Sequence, residues 1–236
     1  MKKIFSVIII LLISMMFVAC GKKEDGGGED EKSRVLDFSN YNVGDIYTFG
    51  SYEQDDDSDN GAEKIEWIIL DIREGKALLI SKCGLDCQKF NNVFTDVTWE
   101  KCDLRKWLND TFLNKAFTKS QRNCIATTDI IAETNPEHKI EGGANTEDKV
   151  FVLSISEANN YFKDDDDRMC PLTPYAKRAG AFAGADGYCA WWLRTPGDAI
   201  NKAACVGAEG AVKNYGRGVD HSYHAVRPAI WVFIEK

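Results

Sequence analysis

The chain has 236 residues, with 29 Lys and Arg set against 37 Asp and Glu, for a formal net charge of −8. No basic stripe of the kind that phosphate recognition needs is present, which excludes nucleic acid and anionic headgroups as binding partners. The length suits one globular domain beyond a short leader.

Lys2 and Lys3 precede an apolar run from Ile4 to Val18, followed by Ala19, Cys20 and Gly21. That order predicts a secretory signal peptide over residues 1–19. A helix of about fifteen residues reaches only ~22 Å, short of the ~30 Å hydrocarbon core, so the run is not expected to anchor by spanning. Small residues before a cysteine point instead to lipoprotein processing with diacylglycerol on Cys20, although Phe17 stands where leucine is usual. Two acyl chains suffice for lasting attachment to the outer face of the cell membrane. Loss of Lys2 and Lys3 takes the mature charge from −8 to −10. Residues 20–34 hold no apolar side chain after Cys20 and are expected to form a flexible acidic tether. The globular domain is expected over residues 35–236.

In chain order, strands are expected at Ile46 to Gly50, Ile65 to Asp71 and Ala77 to Lys82, with an acidic loop joining the first two. Asp103 opens a helix whose Leu104, Trp107, Leu108 and Phe112 form one apolar stripe, ending near Phe117. Val150 to Leu153 reads as a strand. Ser154 and Glu157 make a capping box for a helix through Tyr161, and Thr173 with Pro174 starts another. Strands return at Tyr188 to Arg194, Ala203 to Gly207, Ala211 to Tyr215 and Ala225 to Ile234, with Ala208, Glu209 and Gly210 as a hairpin turn. The class is α+β, a compact mixed domain of antiparallel strands, few short helices and long loops.

Of the eight cysteines, committing Cys20 to lipid leaves Cys83, Cys87, Cys102, Cys124, Cys170, Cys189 and Cys205. Export makes one or two disulfides an expectation, with the pairing open. No Cys-x-x-Cys occurs, which argues against a zinc ribbon or thioredoxin-like site.

Several segments carry a family pattern. They are Phe49 to Gln54, Ile65 to Trp67, Leu79 to Lys82 with Asp86 and Cys87, Leu104 to Asn109, and Asp148 to Phe151 with Leu153 and Ser154. The pattern closes with Trp192, Leu193, Arg194, Thr195, Pro196 and Gly197, then Val226, Arg227, Pro228 and Ala229. Together they resemble a bacterial family known as domain of unknown function 6273, with Thr195 in place of serine. The carboxyl-terminal layout in turn looks like the formylglycine-generating enzymes and the C-type-lectin-like fold. That likeness implies long loops, little helix, and both arginines near the rim of the core. It would also imply two nearby cysteines holding copper, yet Cys189 and Cys205 are sixteen residues apart, which does not fit. No cofactor is expected, and no Gly-x-Ser-x-Gly elbow suggests a hydrolase.

Two segments offer metal-ligand spacing as well as a plain loop. Asp55, Asp57, Asp59 and Glu66 have EF-hand-like spacing, but Asn60 stands where glycine is needed, which favours a hairpin loop. His221 and His224 beside Asp220 could ligate a metal, although such a pair is more often simply at the surface.

For ligand binding, Trp191 and Trp192 point to opposite faces of a strand, so one of them could be exposed. Trp192, Arg194, Asp198 and His221 are the candidate contacts. In the alternative, both tryptophans fill the core and Arg194 pairs with a carboxylate. The expected function is a displayed module binding glycan, peptidoglycan or peptide without catalysis. A formylglycine-generating-type oxidase and an assembly lipoprotein with an envelope-protein partner are the other readings.

Overall fold

The structure is a computed structural model that describes residues 34–236; the expected signal segment, Cys20 and the tether as far as Ser33 lie outside them. The strands are β1 (Leu36–Asp37), β2 (Ile46–Tyr52), β3 (Glu63–Arg73), β4 (Lys76–Ser81), β5 (Asp86–Cys87), β6 (Thr128–Ile130), β7 (Thr146–Asp148), β8 (Val150–Phe151), β9 (Trp191–Pro196), β10 (Lys202–Val206), β11 (Val212–Gly218), β12 (Ala225–Val226) and β13 (Ala229–Glu235). They make a six-stranded sheet in the order β1-β13-β4-β3-β2 with β8 also on β13, a five-stranded sheet in the order β11-β10-β9-β12-β5, and the small β6-β7 pair.

Alternation drives the first sheet. Along β3, Ile65, Trp67 and Ile69 are fully buried at every second position, as a half-covered antiparallel strand requires. β1 lies parallel to β13, with Leu36 opposite Ile234, so both ends of the described chain meet on this sheet. The second sheet is covered on both faces at its middle, while β11 at its edge stays partly exposed. Every residue of β9, its middle strand, is buried.

The helices are short: α1 (Asp103–Trp107), continued through a π-helical turn (Leu108–Phe112) into α2 (Leu113–Ala116), then α3 (Lys119–Cys124), α4 (Ile155–Tyr161), α5 (Asp165–Arg168) and α6 (Pro174–Arg178). Among the described residues, no helix is long and apolar enough to cross a membrane. The capping box of Ser154 and Glu157 starts α4 as expected, and Thr173 with Pro174 starts α6. A second box, Thr118 with Gln121, starts α3, which the sequence reading passed over. Asp164 caps the single turn of α5, its carboxylate accepting from the Asp167 N–H.

The expected strand from Ala225 to Ile234 is two strands. Arg227 and Pro228 carry the chain out of the five-stranded sheet, where β12 runs parallel to β9, and into the six-stranded one, where β13 pairs antiparallel with β4. Proline, lacking an N–H, cannot extend a ladder there, and the chain changes sheet at that point. The result is a sheet-rich α+β domain with few short helices. Two of its pairings, β1 with β13 and β9 with β12, are parallel, and the other strand pairings are antiparallel as expected.

Candidate binding cleft

β10, β11 and the segment after them surround a cleft of about 610 Å³, within the usual range for small-ligand sites. The β10–β11 hairpin closes through Gly207, whose N–H donates to Ala211, and Gly210, which adopts φ +83°. A side chain on Gly210 would collide with the Asp165 carbonyl, so the turn and α5 are fitted together. On β11 the register slips between the Cys205–Lys213 and Ala203–Arg217 pairs, and Gly216 at φ +68° passes against the Ala203 carbonyl. This bulge keeps Lys213, Tyr215 and Arg217 on the cleft wall.

Three aromatic rings ring the opening: Phe182 is 69% exposed, Tyr223 59% and Tyr215 41%. They come from three separate segments. The Phe182 N–H donates to the Tyr223 carbonyl (3.1 Å), fixing the loop before β9 to the loop before β12. Behind them His221 and His224 meet edge to face, with their Nδ1 atoms 3.0 Å apart. His224 is buried and stacks on Trp192 with centroids 4.3 Å apart. The Trp192 indole donates to the Gln88 carbonyl (2.9 Å), so the platform beneath the histidines is held from below.

Burial, then His221 and Arg217, depress His224 to about 3, and burial and Arg217 lower His221 as well. Both imidazoles are neutral at pH 7, and the 3.0 Å contact requires one ring to donate its Nδ1–H to the other. Arg217 packs over the Tyr215 ring (5.6 Å) and has no carboxylate within ion-pair distance among the described residues, whereas Lys213 is paired with Glu209. Cys205 also lines the cleft, but burial pushes its thiol up to about 12, so it is protonated and a poor nucleophile.

The depressed His224 has a consequence for stability. The unfolded chain binds a proton there near the ordinary 6.5, whereas the folded chain does so only near 3. Stability from this group is therefore whole above 6.5 and falls as pH drops toward 3, by at most about 1.4 kcal/mol per pH unit. His224→Phe, which keeps a ring on Trp192, is expected to flatten that slope in urea midpoints taken across the window. An unchanged slope would show that His224 does not control it.

The sequence candidates fare unequally. His221 is on the cleft wall. Trp192 and Trp191 are both fully buried, so neither indole is exposed: Trp191 faces Phe162 and Arg227, and Trp192 faces Phe90 and His224. Arg194 is also inside, forked onto Glu157 and donating to the Val152 carbonyl (3.0 Å). Arg194 and Arg227, the two arginines expected at the rim, are core residues, 4% and 1% exposed. Asp198 sits in the β9–β10 turn with its carboxylate on Lys202 (2.9 Å).

The acidic loop closes on itself. Asp55 accepts from the Asp57 N–H and the Asn60 amide, Asp57 accepts from the Asp59 N–H, and Glu66 lies on β3 beside Lys82. Asp55 approaches Glu53 and Glu63, a group unrelated to the EF-hand spacing. The expected disulfides are not formed in the structure. All seven described cysteines are free, and most are packed as small apolar side chains.

A family model, Domain of unknown function (DUF6273), matches residues 74–234. The chain belongs to this family. No curated protein and no solved structure gives a match. Many residues that carry the DUF6273 pattern in this chain hold its parts together. Arg105 bonds Asp148 (2.7 Å), and Asn109 bonds both the Lys149 N–H (2.9 Å) and the Val150 carbonyl (2.8 Å), docking α1 and the π-helical turn on β7 and β8. The cleft rings come from outside those quoted segments. Sequence reasoning missed Phe182, Lys213, Tyr215, Arg217 and Tyr223. Only Lys213 and Tyr215 carried a local signal, a period of two along the expected strand from Ala211 to Tyr215.

Proposed function

We propose that this DUF6273 chain is a lipid-anchored binding module whose cleft takes a sugar ring of a glycan or of peptidoglycan. Acyl chains on Cys20 hold it at the outer face of the membrane, and the acidic segment that follows spaces the domain from the headgroups. One observation carries the reading: Phe182, Tyr215 and Tyr223 stand exposed around a neutral histidine pair, with Arg217 uncommitted beside them. Aromatic faces stack on the C–H face of a sugar, while imidazole and phenol groups meet its hydroxyls. Arg217 would favour a ring bearing a carboxylate. A protonated Cys205 supports binding over thiolate chemistry. The C-type-lectin-like or formylglycine-generating-like architecture belongs to the same proposal, supported by the two sheets, the short helices and the closing hairpin.

The test is retention of the full chain on peptidoglycan and on insoluble glycans, followed by titration of tryptophan emission with soluble fragments. Wild type is expected to be retained, and Tyr223→Ala or Phe182→Ala to weaken binding by up to about tenfold each. Retention only on peptide ligands, or equal retention of wild type and variants, would overturn the sugar reading.

A further inference from the structure

Outside the cleft, the densest group of reactive side chains that the proposed function leaves unused is a set of buried thiols where β4, α6 and β9 converge. Pro171 and Tyr188 form an antiparallel bridge, which places Cys170 directly opposite Cys189 one step along. The Cys189 N–H donates to the Cys170 carbonyl at 2.9 Å, and its thiol points to the same carbonyl at 3.3 Å. Opposed residues in such a hydrogen-bonded position have Cα atoms about 5.5 Å apart, inside the ~4.4–6.8 Å that a disulfide spans. Both side chains are fully buried, and each thiol lies against the other. The contact between the thiols raises Cys189 above the ordinary thiol value and lowers Cys170, and full burial of both sulfurs keeps outside thiols from reaching them in the folded chain.

We propose that Cys170 and Cys189 form the disulfide of the oxidised protein, made while the chain folds and sealed by the packing around it. The two thiols give up two protons and two electrons. The oxidant is a disulfide-bearing compound or protein, which exchanges through a mixed disulfide and leaves as two thiols. The closed loop runs from Pro171 to Tyr188, carries Phe182 of the cleft wall, and delivers the chain to Ala190 and β9. The cystine would therefore fasten one wall of the cleft to the middle strand of the second sheet. Cys83, close enough to both thiols to influence them electrostatically, is the competing partner.

The test is refolding of the full chain in a glutathione redox buffer, with alkylation and tryptic mapping. Cleavage after Arg168, Lys177, Arg178 and Arg194 leaves Cys170 in residues 169–177 and Cys189 in residues 179–194. The expected product joins those two peptides and is about 2 Da lighter than the reduced pair, the mass of two thiol hydrogens. Reduction should lower Tm by roughly 6–12 °C, and Cys170→Ser or Cys189→Ser should abolish that dependence on reductant. Cys205→Ser, as a control, should retain it. Recovery of both Cys170 and Cys189 in alkylated form after oxidative refolding, or a link from Cys170 to the peptide of residues 83–89, would overturn the assignment.

Discussion

Arg227→Ala is expected to cost about 3–5 kcal/mol of folding stability, among the larger effects a single substitution here can have. The guanidinium lies over the rings of Trp191 (5.0 Å) and Phe162 (5.3 Å), and it donates to the Ser81 carbonyl and the Arg168 carbonyl, both at 3.0 Å. Ser81 ends β4 of one sheet, Trp191 begins β9 of the other, and Arg168 ends α5. One side chain thus ties three elements at the place where the chain changes sheet. No carboxylate is within ion-pair distance of it among the described residues, so its charge rests on π faces and carbonyl dipoles. Alanine would leave a cavity and strip the Ser81 carbonyl of its side-chain donor. Arg227→Met keeps most of the volume and should recover part of the loss, whereas Arg227→Lys should not match wild type because one ammonium cannot repeat the planar fork. Urea midpoints would rank the series. Alanine within about 0.5 kcal/mol of wild type would remove Arg227 from this role.

This residue also illustrates what could be read from the amino-acid order. β3 was legible because it is half-covered and alternates, β4 because its apolar run is short and bounded by turn residues, and α4 because Ser154 and Glu157 spell its cap. β9 left two readings open because it lacks that alternation. A strand buried on both faces loses the alternation that would say which side is wet, so Trp191 and Trp192 could be taken for one inner and one outer ring. The alternative that both fill the core, with Arg194 on a carboxylate, was also readable, and it is the arrangement found. The break between β12 and β13 was hidden because Val226 and Ala229 look like one apolar strand, although Pro228 marked the place.

The cleft was the least legible feature. Its rings arrive from the loop before β9, from β11 and from the loop before β12, and only the tertiary fold brings them together. Even so, the family pattern and the cleft divide the molecule between them. Arg105 with Asp148, Asn109 with Val150, Arg194 with Glu157, and Arg227 between two sheets hold the scaffold. Phe182, Tyr215, Arg217 and Tyr223 sit on loops and a hairpin carried by it. Loops on a rigid frame can change ligand without disturbing the core, so one frame can serve several ligands.

The second large effect is expected at Glu157, whose carboxylate serves two masters. It accepts the Ser154 N–H (2.9 Å) to complete the cap of α4, and it receives both terminal nitrogens of Arg194, with the second contact at 2.9 Å. Arg194 is buried over the Phe151 ring (5.8 Å), and without Glu157 its remaining acceptors are the carbonyls of Val152 and Ile131. Glu157→Ala would thus leave a buried cation short of its counter-charge and remove a helix cap. Breaking a buried pair costs about 3–5 kcal/mol, and the partial exposure of Glu157 lets water recover some of that, so about 3 kcal/mol is expected. Glu157→Gln retains an oxygen for the cap and one bond to Arg194, so it should lose roughly half as much. The decisive comparison is Arg194→Met with Glu157→Ala in the same chain. If the ion pair is the cause, the double variant will be more stable than the sum of the single losses, because no charge is left stranded. Strict additivity of the two losses would mean that Glu157 acts through the helix cap alone.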